Sequence, residues 1–136
     1  PTAPRTRWAW GGAKTAMLAP SPSCAVASAV LDEVAAPEFL AEVSRKAGAL
    51  RQGLEGLVAQ YPDVFEGVTG AGLMLGLKCK ASNVDVVTAG YDSEVLTVPA
   101  ADNVVRVLPA LNISNAEITQ ALERLEIVAQ TVQSAQ

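Results

Sequence analysis

The chain has 136 residues, of which 50% are apolar and 18% charged, with a net charge of −4 and no histidine. That length holds one domain with its own core and is short for two. The missing histidine removes Ser–His and Cys–His dyads and histidine metal sites, and the acidic balance, with no basic patch or aromatic ladder, argues against a nucleic-acid partner.

The charged fraction falls below the roughly 25% usual for soluble domains, which predicts that one face is normally covered by a larger domain or a second subunit. No apolar run approaches the roughly 18 residues needed to span a bilayer, so no membrane partner is expected. Cys24 and Cys79 lie far apart in helical and strand contexts and read as single thiols of a reducing cytosol rather than a disulfide.

Residues 1–23 form an irregular leader. They hold four of the eight prolines and both tryptophans, and no helical or strand period runs through them. Arg5, Arg7 and the alanines give a superficial likeness to a targeting peptide, but Trp8, Trp10 and the prolines spoil both an apolar core region and an amphipathic transit helix. From Cys24 the pattern becomes regular, and 24–136 is expected to be one domain. Residues 24–35 read as a small-residue helix whose alanines suggest burial. Pro37 then opens a second helix running to residue 60. Its stripe is Phe39, Leu40, Val43, Ala47, Leu50, Leu54, Leu57 and Val58. Arg45, Lys46, Arg51, Gln52 and Glu55 take the solvated side, and Tyr61-Pro62 ends the helix.

Strands are predicted over 64–69 and 72–79, joined through Gly70-Ala71-Gly72. These glycines run straight into a strand rather than opening a helix, so they do not make a dinucleotide-binding fingerprint. A short helix is predicted over 84–91, a short strand over 95–98 and another over 104–108. Ser114 and Glu117 form a capping box for a last helix over 115–133. Its stripe is Ile118, Leu122, Leu125, Ala129 and Val132. The order α-α-β-β-α-β-β-α predicts an α+β two-layer sandwich with one sheet and the long helices on one face.

The candidate functional residue is Arg106, a lone cation in the apolar run Val104-Val105-Arg106-Val107-Leu108-Pro109 that reads as a buried strand. A guanidinium keeps its charge in a protein, so enclosing it requires an anion. Taken alone, the pattern allows an internal ion pair with a glutamate or a two-pronged grip on a ligand carboxylate. Strand alternation puts Val105 and Val107 on one face and Val104, Arg106 and Leu108 on the other.

NVVRVLPALNIS (103–114) resembles the C-terminal strand of the class III, pyridoxal-phosphate-dependent aminotransferases, especially the acetylornithine/ornithine branch. There the arginine of an Arg-x-x-Pro motif receives the substrate α-carboxylate. GVTGAGLMLGLK (67–78) resembles the family's glycine-rich hairpin, typically V-R-G-x-G-L-M-L-G-I, and Leu96-Thr97-Val98-Pro99 stands where the family has its short strand. The resemblance covers 24–136. It implies the small C-terminal domain of a fold-type I enzyme, with Arg106 as substrate-binding residue and pyridoxal phosphate as the parent's cofactor. It also implies amino acid and oxo acid substrates, a homodimeric parent and a cytoplasmic location.

The leader departs from the family's H-G-S-T-F-G-G-N-P-L-A segment. Trp8-Ala9-Trp10-Gly11-Gly12-Ala13-Lys14 keeps only the glycine pair, so neither Thr6 nor Thr15 is expected to hold the cofactor phosphate. The leader reads as a neighbouring frame joined to a genuine C-terminus. The family's Schiff-base lysine would lie upstream of residue 1, and Lys14, Lys46, Lys78 and Lys80 read as surface lysines. No catalytic, cofactor-binding or metal-binding residue is therefore expected here, and the chain alone should not bind the cofactor. The resemblance implies a C-terminal fragment of an acetylornithine-type aminotransferase, acting between N-acetylornithine and 2-oxoglutarate in arginine biosynthesis and inactive alone. The alternative is a stand-alone, non-catalytic α+β module that binds a small carboxylate or a protein partner.

Overall fold

The structure, a computed structural model, describes residues 22–135. The leader expected over 1–23 falls outside these residues as far as 21, while Pro22 and Ser23 already belong to helix α1 (Pro22–Val34). The chain divides into two compact units, with the boundary between Leu40 and Ala41.

In the first unit, α1 ends as Ala35 and Ala36 donate their backbone N–H groups to the carbonyls of Leu31 and Glu33, at 2.8 and 3.3 Å. Pro37, whose fixed φ suits a first helical turn, then opens helix α2 (Pro37–Gln60). No residue of α1 is buried, and Val26, Val30 and Leu31 are each more than half exposed. The burial expected from its alanines is therefore not met. Small apolar residues on all sides of a helix suggest enclosure by composition, but they supply no contrast between faces and so select no packing partner.

The second unit is built on the stripe of α2. Ala47, Leu50, Leu54 and Leu57 are buried at three- and four-residue steps. Tyr61 donates its N–H to Leu57 and Pro62 then stops the helix, which delivers Val64 and Phe65 into the core. Strands β1 (Phe65–Ala71) and β2 (Met74–Cys79) form an antiparallel hairpin. Its register shifts between Phe65 and Gly67, and this bulge lets Phe65 and Val68 share one face despite their odd spacing. The turn depends on Gly70, whose φ is +96° and whose hypothetical Cβ would lie 2.2 Å from the Met74 carbonyl oxygen. Arg51, expected on a solvated helix face, instead donates from Nη2 to the Gly70 carbonyl at 2.6 Å and ties the hairpin to α2.

Along β2, Leu75, Leu77 and Cys79 are buried while Met74 is exposed, the alternation of a sheet covered on one side. Ser82 caps helix α3 (Asn83–Asp92), accepting a hydrogen bond from the Asp85 N–H. At its far end Glu94 adopts φ 55° and the Val95 N–H turns back to the Gly90 carbonyl at 2.9 Å. That left-handed exit consumes residues 94–97, so strand β3 is Val98–Ala100 rather than the predicted 95–98.

Strand β4 (Val104–Val107) completes a four-stranded, wholly antiparallel sheet in the order β1-β2-β4-β3. Helix α4 (Asn115–Ser134) begins at the predicted capping box and buries Ile118, Leu125, Val128, Ala129 and Val132. Leu122 is only partly buried, although its side chain enters the notch that Gly53 of α2 leaves. At the opposite end, Gln130 Nε2 donates to the Tyr61 hydroxyl at 3.0 Å. Residues of α2, α3, α4 and one sheet face make a single core. The fold is the expected small α+β domain.

Two outcomes test this construction. Gly70→Ala should lower stability more than Gly72→Ala, because Gly72 also has positive φ but has open space where a Cβ would stand. Equal urea midpoints for the two variants would contradict it. Glu117 accepts the Ser114 N–H at 2.7 Å, and that bond holds its carboxyl below the usual range. The stabilisation is therefore present above the ordinary carboxylate pKa of about 4.3 and is lost as pH falls through the lowered folded value. Glu117→Ala should be less stable than the parent at pH 7, with the difference shrinking through the acid range.

Candidate active-site face of the sheet

The helices leave the second face of the sheet open. β4 projects Val105 into the core at 0% exposure, and Val107 packs partly against it, while Arg106 stands exposed on the other side. The strand is thus enclosed on one face only, not buried as its apolar run suggests. The valines satisfy the core, and alternation turns the arginine out.

Arg106 lies opposite Gly76 of β2 and Val98 of β3. Thr69 is the β1 partner of Gly76, so Thr69, Gly76, Arg106 and Val98 form one row across the sheet. Beneath the arginine is a depression of about 280 Å³ lined by Thr69, Gly70, Gly76, Val104 and Arg106 among others. Gly76 lets the Val104 and Thr69 side chains close over its backbone. A Cβ there would lie 2.6 Å from Val104 Cγ1 and 3.0 Å from Thr69 Oγ1. The surrounding surface is apolar, with Met74, Val98 and Leu108 each more than half exposed.

Arg106 forms no hydrogen bond or ion pair among the described residues. The internal ion pair left open by the sequence does not form: Glu94 pairs with Arg124 at 3.0 Å, and Glu66 takes Lys78 at 3.3 Å. What remains is a planar fork of donors, permanently charged, at a depression in apolar surroundings. That combination suits a carboxylate, which accepts two parallel N–H donations.

The fit to pyridoxal phosphate is different. Lys46 lies near Glu42 at 3.7 Å on α2, Lys78 is held by Glu66, and Lys80 is exposed just past β2. None of them lines the depression, the hollow between α3 and the end of α4, or the groove between α2 and α4. Lys14 lies outside the described residues. The described residues therefore do not fit the cofactor by themselves. They also contain no group of three or more acidic, cysteine or histidine side chains able to hold a metal ion.

Sequence reasoning missed Asn83 and Asn103, whose side chains hold the start of β4. The available signal was Asp102-Asn103 between two short strands, a pairing suited to turns that need positive φ.

Residues 4–128 match the family Aminotransferase class-III, so the match takes in most of the leader that was set apart as unmatched. The chain is 55% identical over 111 residues to an acetylornithine aminotransferase of Rhodobacter capsulatus, covering 82% of this chain and 28% of that protein. An N-acetylornithine aminotransferase of Stenotrophomonas maltophilia superposes with a TM-score of 0.77 at 32% identity, over 83% of this chain and 32% of that one. An ornithine aminotransferase of Toxoplasma gondii, with pyridoxal phosphate at partial occupancy in its active site, shares the fold. Its TM-score is 0.73 at 22% identity, over 82% of this chain and 27% of that one. The chain thus spans roughly a third or less of the length of these relatives.

The two thiols should separate cleanly. Cys24 is exposed, whereas Cys79 is buried and burial raises its pKa to about 11. An aromatic disulfide reagent at pH 8 should titrate one thiol fast and the other only as the chain unfolds. Two fast thiols, or none, would contradict the packing.

Proposed function

The chain belongs to the class-III aminotransferases, and on that premise we propose that it is the substrate-gripping C-terminal part of an acetylornithine-type enzyme. The whole enzyme would move an amino group between N-acetylornithine and 2-oxoglutarate in arginine biosynthesis, as a cytoplasmic homodimer. The observation that carries this reading is the guanidinium of Arg106, without a partner among the described residues, at the depression it lines together with Thr69 and Gly76.

Pyridoxal phosphate supplies the electron sink for such a reaction when the whole enzyme holds it. This chain's own contribution is positional. Arg106 receives the substrate carboxylate through two N–H groups and fixes its direction. The apolar rim of Met74, Val98 and Leu108 lowers the local dielectric once covered, which strengthens the pairing. None of the lysines among the described residues lines the depression, so the whole enzyme would supply the amine-transferring lysine and the phosphate cradle from outside them.

Joined to the upstream part of the Rhodobacter capsulatus relative, the chain should restore turnover of N-acetylornithine with 2-oxoglutarate. In that hybrid Arg106→Lys should raise the Michaelis constants about 10- to 100-fold, because an ammonium cannot reproduce the fork. Unchanged Michaelis constants would overturn the assignment. The 136-residue chain alone should give neither a stoichiometric visible band with pyridoxal phosphate nor turnover approaching about 1 per second.

A further inference from the structure

The face on which Arg106 stands is decided by strand register, and β4 specifies its register weakly. Val104, Val105 and Val107 are all apolar, so the valines alone do not choose between the faces. A slip of one residue against β2 would turn Val104 and Arg106 toward the helices and Val105 and Val107 outward. Burying the Arg106 charge opposes that slip, but a slip of two residues would keep every side chain on its face and still move Arg106 off Gly76, so bonds outside the hydrophobic pattern are needed to hold the strand in place.

Two asparagines meet at that point. Asn103 precedes β4 in a turn where it and Asp102 both have positive φ, 57° and 59°, and Val104 N–H returns to the Ala101 carbonyl at 3.3 Å. The Asn103 side chain donates from Nδ2 to the carbonyls of Cys79 and Ala81, both at 2.7 Å. Its Oδ1 accepts the Asn83 N–H at 2.9 Å, and its own carbonyl accepts the Cys79 N–H at 2.9 Å. Asn83 in turn donates from Nδ2 to Ala100 and Val104, at 2.9 and 3.1 Å. Both amide protons of Asn103 and both of Asn83 are spent, and Asn103 Oδ1 accepts one bond. Together they lock the end of β2, the end of β3, the start of α3 and the start of β4.

We infer that Asn103, assisted by Asn83, is a positioning residue for Arg106: it fixes the β2–β4 register that puts Gly76 opposite Arg106 and keeps the guanidinium on the open face. This rests on the carboxylate-clamp reading of Arg106. Glycine at 103 would accept the backbone geometry but lose every side-chain bond. Aspartate would point an anion at two carbonyl oxygens and should be worse than glycine, the reverse of the order for a position that needs only positive φ and a short polar side chain.

The test is a titration of the 136-residue chain with glutarate as a dicarboxylate probe, followed by NMR at the Arg106 Nε–H and at the amides of β2 and β4. The parent should bind, Arg106→Ala should not, and Asn103→Gly should bind at least 10-fold more weakly while its β1–β2 hairpin amides stay protected from hydrogen exchange. Asn103→Asp should bind more weakly still. Asn83→Ala, which keeps the turn and removes only the two Nδ2 donations, should fall between the parent and Asn103→Gly, and it decides the matter if substitutions at 103 fail to fold. Parent-like affinity in folded Asn103→Gly, or in Asn83→Ala where that variant decides, would make the cluster simple architecture and overturn the inference while leaving the clamp intact. Parent-like affinity in Arg106→Ala, or no glutarate binding by the parent, would remove the clamp reading and the inference with it.

Discussion

A sheet covered on one side can place a charge with certainty only if the strand carrying it cannot turn over. Here the helices enclose one face of the sheet, and β4 carries three valines and one arginine. Enclosing that guanidinium without an anion would cost several kcal/mol. The valine pair Val105 and Val107 stabilises one orientation by burial, and the charge of Arg106 opposes the other. The hairpin glycines, the bulge at Phe65 and the Asn83–Asn103 cluster all serve the alignment on which this choice rests.

The helical parts of this arrangement were legible in the sequence because their physical signals are local and periodic. The stripe through Leu50, Leu54 and Leu57 and the Ser114–Glu117 capping box lead to the observed α2 and α4. Alternation placed Arg106 and Val105 on opposite faces for the same reason. What failed depended on contacts between elements. β3 starts later than its β-branched composition suggests, because Glu94 leaves α3 through a left-handed turn that composition does not announce. Arg51 looked like one more solvated cation until the hairpin supplied the Gly70 carbonyl. The arginine strand looked buried because a run of valines does not say how many faces are covered.

Of the candidate site, the sequence offered one residue, Arg106, and no more. An arginine between β-branched neighbours announces that an anion is required, but not whether the protein supplies it. The geometry answers that by pairing Glu66 and Glu94 elsewhere. Gly76 could be read only as a backbone convenience from sequence; in three dimensions it lies opposite Arg106 and lets Val104 and Thr69 pack against its backbone. The asparagine cluster was illegible because its hydrogen bonds join residues about 20 positions apart.

The outer strand β3 has a consequence of its own. It is three residues long and centred on Pro99, which has no N–H to offer a neighbouring strand. At the opposite margin the sheet ends in a bulged strand whose pairing is already irregular at Glu66. Neither border is a good template for adding strands, so the domain resists the edge-to-edge growth that begins many aggregates. The broad face where Arg106 stands, and not either border, is the part of the sheet that α2, α3 and α4 leave uncovered.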